Sequence, residues 1–555
     1  MLQVIRRGEV FDAVVVGSGA TGGWAAKQLT EAGMRVAVLE AGKKITPADF
    51  TEHLEPYDQK YRGQDPHKLR RRPVQGLVYA CRESNQDWFV DDIDNPYTTD
   101  PGKPFHWIRC RVLGGRSLTW GRQSYRMGDI DLQAASRDGY GEDWPIRYAG
   151  LVPYYRIVER FIGISGQAEG LQVLPDSEFL PPMEMTCGEK LLRDAVRKKM
   201  GRVVTMGRVA VLTRPHNGRQ ACHYCGPCEH GCITNSYYAS PWTTLAAAQK
   251  TGRLTLLTDS VASHITLDRA TGRADGVAYR DRLTRAAREV RGRVIVLCAS
   301  TLESTRMMLN SAPGGLCNSS GALGRYLMDH IYGGGAAGGM PMLEAKAWMG
   351  PPRRPNGIYI PRFRNLTDKT AGFLRGYGYQ GSSSPGFDFA APGFGAGYKN
   401  AARGGRWSIS IGLWGECLPR RENYVELDKE TVDAWGIPAL KIHMSWSDNE
   451  LKLFEDGRQQ AAEMLEAAGA RNVQLTGAPS TPGFCIHEVG TARLGADPKS
   501  SVLNPFNQAH EVKNLFVTDG ACWVSIACQN PTLTMMAITA RACDYIVEQS
   551  KKGEL

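Results

Sequence analysis

A chain of 555 residues, 42% hydrophobic and 22% charged, is long enough to bury more than one core, and its composition excludes disordered, collagen-like and small disulfide-framework proteins. The formal net charge of +10 is spread in short clusters such as LRRRP and RKKM between acidic stretches, without interleaved aromatics. That excludes nucleic acid as the expected partner and leaves an acidic protein or anionic headgroups as what a basic face would suit.

Arg6 and Arg7 read as a solvated tail, because GEVFDAVVVGSG follows directly with no apolar core of a leader. Ala13 to Val16 predict a buried strand, Gly17, Gly19 and Gly22 form GxGxxG, Trp24 to Ala32 predict a helix, and Arg35 to Leu39 predict a second strand ending at Glu40. The chemistry follows from the residue types. Gly17 permits the tight turn, Gly19 and the adjoining Ala20 let backbone approach a pyrophosphate at a helix N-terminus, and Gly22 lets helix and strand pack closely. Glu40 is placed to accept from ribose hydroxyls, and its charge disfavours a 2′-phosphate.

Further along, CHYCGPCEHGC (222–232) sets Cys222, Cys225, Cys228 and Cys232 at the Cx2Cx2Cx3C spacing of a bacterial iron–sulfur loop, with Ile233 where a proline usually follows. The same thiolates suit structural zinc, and both readings stay open, with disulfides a third. The other ten cysteines are scattered and read as buried small hydrophobes assembled in a reducing compartment. Residues 372–405, rich in glycine, serine and phenylalanine, predict a flexible loop, with a mobile lid as the alternative. Alternation over 406–446 predicts antiparallel strands of one sheet, and 449–470 has helical periodicity. No run approaches the roughly 18 apolar residues of a spanning helix, so no transmembrane segment is expected.

Four segments, RVLGGRSLTWGRQSYR (111–126), RVIVLCASTLESTRMMLNS with LGRYLMDH (293–311 and 323–330), HEVGTARLG (487–495) and the stretch 514–546, together resemble the glucose-methanol-choline family of FAD oxidoreductases over nearly the whole chain. The resemblance implies an α/β protein, α+β overall, with a Rossmann-like FAD-binding domain and a discontinuous antiparallel-sheet substrate-binding domain. It divides the chain into a first FAD-binding part (1–170), a connecting segment (171–245) holding the cysteine-rich loop 215–240, a second FAD-binding part (246–335), a substrate-binding domain (336–480) and a C-terminal FAD-binding part (481–555). It implies that Gly114, Gly115, Ser117 and Trp120 wrap the flavin and pyrophosphate, that the Val261 backbone meets the adenine, and that Asp519 and Thr532 line the ribityl chain and the flavin edge. Relatives that tether the flavin have a histidine where this chain has Thr119, so the FAD is expected to be noncovalent. His487 and Asn530 carry over as the catalytic pair. Independently, imidazole suits proton removal from an alcohol, and an amide can hold the oxygen. The remaining histidines, His330 among them, read as structural.

Within the family, Cys222, Cys228 and Cys232 resemble the cluster ligands of bacterial sugar dehydrogenase large subunits that hold a three-iron (3Fe-4S) cluster, and Cys225 as a fourth thiol leaves a 4Fe-4S cluster open. The implied activity is an FAD-dependent dehydrogenase that oxidises a secondary hydroxyl of a sugar or glycoside, C3 of a glucoside being the specific expectation, with electrons leaving through the cluster to a cytochrome c or quinone pathway. A small subunit carrying an export signal is the expected partner, which implies a periplasmic or inner-membrane-associated site, or the cytoplasm if no partner exists. The rival readings are an oxygen-using oxidase with a zinc site and an electron-transfer flavoprotein without substrate chemistry.

Overall fold

The computed structural model describes residues 9–51, 58, 68–346, 354–367, 369–386, 393–403 and 406–555; the Arg6–Arg7 pair and Trp348 lie outside these. The apolar run at the N-terminus becomes strand Val10–Val16, whose side chains from Ala13 onward are buried on both faces, as a central parallel strand requires. It pairs in parallel with Val36–Leu39 on one side and with Ala287–Leu297 on the other. Leu254–Leu257 extends this sheet beyond Val36–Leu39, Leu515–Val517 pairs in parallel with Ala287–Leu297, and the antiparallel strands Ala274–Asp281 and Ser260–Leu267 complete seven strands.

The helix after the glycine turn runs over Ala20–Glu31, four residues earlier than Trp24. Glycines lower helix propensity, but here tertiary packing overrides it. A Cβ on Gly22 would sit 1.9 Å from the Gly17 carbonyl oxygen, and one on Gly23 would sit 2.0 Å from the Ser240 hydroxyl, so bare glycine is what lets this helix lie against the turn.

A second sheet of six antiparallel strands runs Arg471–Thr476, Ile331–Gly339, Arg406–Gly415, Tyr377–Gly386, Ile358–Ile360, Thr205–Met206. Helix Asp448–Ala467 covers its back, started by a capping box in which Ser447 and Glu450 exchange hydrogen bonds, and buries Leu453, Phe454, Met464 and Leu465. Two expectations are corrected. The stretch 372–405 is not one loop: ten of its residues form the interior strand Tyr377–Gly386, and Gly395–Arg403 is helical, while 387–392 and 404–405 lie outside the described residues. Its small residues serve close strand packing, since a Cβ on Gly381 would meet the Ser410 carbonyl oxygen at 2.3 Å. Nor do residues 406–446 make one sheet. Only Arg406–Gly415 joins the six strands; Tyr424–Val432 and Pro438–His443 pair with each other and, through the latter, with Thr98–Thr99 in a separate sheet.

No helix among the described residues is long and apolar enough to cross a membrane.

Candidate active site

A cavity of about 1120 Å³ separates the two large sheets. Its floor is the glycine turn. Gly17 has φ +97° and a Cβ there would stand 2.3 Å from the Cys298 carbonyl oxygen, whereas a Cβ on Gly19 would find nothing nearer than the Gly114 carbonyl oxygen at 3.9 Å. The chain is therefore jammed against protein behind Gly17 and bare toward the cavity at Gly19, which is the surface a phosphate can approach. Glu40 is buried and accepts from Gly42 N at 2.8 Å, Ser18 N at 3.3 Å and the Ser18 hydroxyl; burial pushes its carboxyl up and these bonds oppose the push. Ser18 in turn accepts from Gly114 N at 2.8 Å, which ties the glycine turn to the 111–126 segment.

Ala20, Thr301 and Thr532, the first residues of helices Ala20–Glu31, Thr301–Leu309 and Thr532–Lys551, all line this cavity. Three helix N-termini bring unpaired N–H groups and positive dipole ends to one space, a setting that favours an anion. Gly115, Ser117, Trp120, Val261 and Asp519 line it as well, Val261 on the strand that begins where Ser260 N binds the Glu40 carbonyl. Asp519 accepts from Ala521 N and from the Ser304 hydroxyl, and burial pushes its carboxyl up to about 6. Two of the expected residues stand behind the wall: Gly22 against the turn, and Gly114 with φ +92° against Pro241. The residues fit a dinucleotide. Arg116 also lines the cavity; it bonds Glu488 at 2.7 Å and the Ser300 hydroxyl at 2.9 Å, and nothing but its place inside the GGRS motif signalled it.

The chemistry-bearing groups sit between that floor and the six-stranded roof. The turn 483–487 is bound by the buried Asp329 carboxylate, which accepts from Gly483 N, Cys485 N and His487 N at 2.9, 3.3 and 3.0 Å. Ile486 has φ +66°, strained for a β-branched residue, and this presents the His487 ring to the cavity. His487 Nε2 lies 3.3 Å from Asn530 Nδ2, and its Nδ1 lies 3.0 Å from His330 Nδ1. His330 and Cys485 were missed: the LMDH motif names the histidine without showing that it faces His487, and Cys485 Sγ is 3.3 Å from His487 Nδ1. The His487 ring opens on the cavity but is enclosed by protein elsewhere. That burial, with His330 and Arg116 adding to it, holds its imidazole well below the usual 6.5, so it is a neutral base at neutral pH. On the roof, Gln380 Nε2 donates to Asn530 Oδ1 at 2.8 Å, and Trp414, Asn356 and Gln123 line the same space. Trp120 and Trp414 face the cavity, whereas Trp407 and Trp523 are core.

The cysteine loop borders the cavity through Gly226 and Glu229, while its four thiols stand outside the lining. None of the fourteen cysteines is in a disulfide. A tetrahedral zinc, with Zn–S of about 2.3 Å, needs sulfurs about 3.8 Å apart. Among the described residues the group of three potential ligands gathered within 4.8 Å is His330, Cys485 and His487. Left-handed residues at Tyr224, Gly226 and Gly231 wrap the loop, and Tyr224 N and Ser236 N donate to Cys222 Sγ and Cys232 Sγ at 3.4 and 3.3 Å. Beside it Arg122 is buried with Nε and Nη1 unpartnered, and Cys228 is the foremost of the groups that hold its positive charge. An orphaned guanidinium against a cysteine loop fits an anionic thiolate cluster.

A dinucleotide cradle that opens onto a neutral imidazole and an amide is the arrangement of a cofactor-dependent oxidoreductase acting on hydroxyl groups. Comparison with known proteins carries this further. Residues 11–332 and 419–539 match the N- and C-terminal models of GMC oxidoreductase, and the chain belongs to that family of FAD-dependent oxidoreductases acting on CH–OH groups. It is 30% identical to a 2-methyl-1,2-propanediol dehydrogenase of Mycolicibacterium austroafricanum over 96% of this chain and 95% of that one. It is 26% identical to the fructose dehydrogenase large subunit of Gluconobacter japonicus, over 98% of each. Among solved structures, pyridoxine 4-oxidase from Mesorbium loti superposes with a TM-score of 0.59 at 18% identity, covering 96% of this chain and 98% of that one, which shows the shared fold.

Proposed function

We propose that the protein is a dehydrogenase for a secondary hydroxyl of a sugar or glycoside, with C3 of a glucoside as the specific site. The observation that carries this reading is the His487–Asn530 pair set between the dinucleotide floor and a roof of amide side chains, Gln123, Asn356 and Gln380. Gln380 stands on strand Tyr377–Gly386 while Gln123 and Asn356 lie on flanking segments bonded to each other at 3.0 Å, and such amides suit a polyhydroxylated substrate, since each both donates and accepts. His487 Nε2 takes the hydroxyl proton, and Asn530 Nδ2 donates to the same oxygen and holds it in place. The Gly17–Ala20 turn, Glu40, Gly115, Ser117, Trp120, Asp519 and Thr532 would hold FAD without a covalent tether, and FAD so bound would supply the acceptor for the hydride on that carbon. Two relatives named as dehydrogenases, one of 2-methyl-1,2-propanediol and one of fructose, support the choice over an oxidase.

Cys222, Cys225, Cys228 and Cys232 would hold an iron–sulfur cluster, which would supply one-electron chemistry beside the cavity; the Arg122 nitrogens without hydrogen-bond partners beside the loop support an anionic thiolate centre there. A small subunit carrying an export signal and a cytochrome c acceptor complete the proposal, and place the enzyme in the periplasm or at the inner membrane. The relative named as a large subunit supports a heteromeric assembly.

The test is anaerobic mixing of the holoprotein with a panel of sugars, glycosides and small diols while flavin absorbance is followed, with products identified by NMR and iron and zinc measured on the same sample. Bleaching by a glycoside, a 3-keto product and three or four irons per chain are expected. Bleaching by diols alone overturns the substrate, and zinc without iron overturns the cluster.

A further inference from the structure

The hydrogen bonds through the catalytic pair have a direction, and one atom decides it. His330 Nε2 lies 2.9 Å from the Ala527 carbonyl oxygen, which can only accept, so Nε2 carries a proton. His330 is fully buried, and that burial pushes its imidazole down to about 3, so the ring is neutral and Nδ1 is a bare lone pair. His487 Nδ1 stands 3.0 Å from that lone pair. Two bare nitrogens at that distance would repel, so the proton is on His487 Nδ1. The Cys485 sulfur, 3.3 Å from the same nitrogen, is then a second, weak acceptor. A neutral His487 protonated at Nδ1 has its lone pair on Nε2, facing Asn530 Nδ2. At the other end Gln380 donates to Asn530 Oδ1 at 2.8 Å, which keeps the NH₂ of Asn530 turned toward the histidine.

We infer that His330 and Gln380 are positioning residues that fix one hydrogen-bond direction, Gln380 to Asn530 to His487 to His330 to the Ala527 carbonyl, and so hold the His487 lone pair on the nitrogen that faces the substrate. This rests on the proposed role of His487 as base. The chain ends at a carbonyl with no proton to give and no site to take one, so a proton taken at Nε2 does not pass inward; it returns to the cavity from the same nitrogen. The arrangement is a tautomer lock rather than a relay.

The lock is tested first without turnover. In holoprotein labelled with 15N at the imidazoles, the His487 signals, assigned by their loss in His487→Gln, are expected to show a protonated Nδ1 and a bare Nε2; a protonated Nε2 overturns the inference whatever the substrate proves to be. Kinetics then separate positioning from folding. His330→Leu removes the acceptor and is expected to lower kcat tenfold or more with flavin content and KM held. His330→Asn, whose amide oxygen can take the place of Nδ1, is expected to recover part of that loss. Gln380→Glu replaces the donor by an acceptor, turns the Asn530 NH₂ toward the roof, and is expected to cost more in kcat than Gln380→Leu. Equal kcat in His330→Leu and wild type, or Gln380→Glu no worse than Gln380→Leu, overturns it. Should His330→Leu fail to take up FAD, the labelled wild-type protein still decides.

Discussion

The acid limb of the rate profile tests the electrostatics of the site most directly. Proton removal by His487 requires a neutral ring, and burial, His330 and Arg116 all disfavour the cation. An imidazole with the ordinary value near 6.5 would be about 90% neutral at pH 7.5 and about 25% neutral at pH 6.0, so kcat/KM would fall roughly fourfold between them. With the value held well below 6.5, the same step in pH is expected to cost less than about twofold, and the main loss falls at lower pH. The assay is kcat/KM from pH 5 to 8 with a one-electron dye as acceptor, in buffers of constant ionic strength. An acid limb at or above 6.5 would refute the reasoning, because it would mean either that water reaches the ring freely or that another group is the base. Replacing His487 by alanine should remove about 10²- to 10⁴-fold of the rate while FAD stays bound.

Glu40→Ala removes the acceptor placed for the ribose hydroxyls and with it the bonds from Gly42 N, Ser18 N and the Ser18 hydroxyl that hold the turn, and should weaken FAD retention about tenfold, the loss of roughly one hydrogen bond of about 1.5 kcal/mol to the ligand; flavin release on dilution measures it. Gly17→Ala puts a Cβ 2.3 Å from the Cys298 carbonyl oxygen at φ +97°, and the protein should emerge colourless or unfolded, read as the ratio of flavin to protein absorbance. Arg122→Met removes a buried cation beside Cys228 and should lower the potential of the proposed cluster by on the order of 50–100 mV, measured by a redox titration followed by electron paramagnetic resonance; an unchanged potential separates Arg122 from the proposed cluster. His330 binds no proton in the folded state until about pH 3, whereas the unfolded chain takes one below about 6.5, so stability falls with falling pH in that window by about 1.4 kcal/mol per unit. His330→Asn should flatten the fall in urea midpoint between pH 6 and 5.

Local patterns carried the dinucleotide half of the molecule well. Strand, glycine turn, helix and acid all follow from contacts near in sequence, and Val10–Val16, Val36–Leu39 and Glu40 stand where the pattern puts them. The helix start failed by four residues because Gly22 and Gly23 are helical only through their fit against Gly17 and Ser240, a contact that spacing does not encode. The roof was harder to read. Tyr377–Gly386 is written in Gly, Ser and Tyr because its neighbours approach too closely for larger side chains, and that composition imitates a loop. Gln380 was lost with it, although it touches Asn530. His330 was named by its motif but placed in the core, because the path from 330 to 487 is closed by Asp329, which binds the 483–487 turn one residue away, and no local signal reports such a bond.

The cavity sets two demands that one field meets. An anionic cofactor is favoured where helix N-termini converge, and Ala20, Thr301 and Thr532 bring three of them to the same space, with Arg116 at its edge. A histidine base must stay neutral at working pH, and positive potential disfavours its protonation; Arg116 is among the groups that depress His487. The field that would hold the cofactor therefore also keeps the base free, without a carboxylate behind the imidazole. A carboxylate in that place would raise the ring and favour the cation. The neutral His330 there accepts the Nδ1 proton without supplying negative charge, and Asp329 directs its oxygens to backbone N–H groups of the turn instead. Removing Arg116 should therefore raise the titration of His487 and leave its tautomer in place, whereas removing His330, which both accepts the Nδ1 proton and disfavours the cation, should change both.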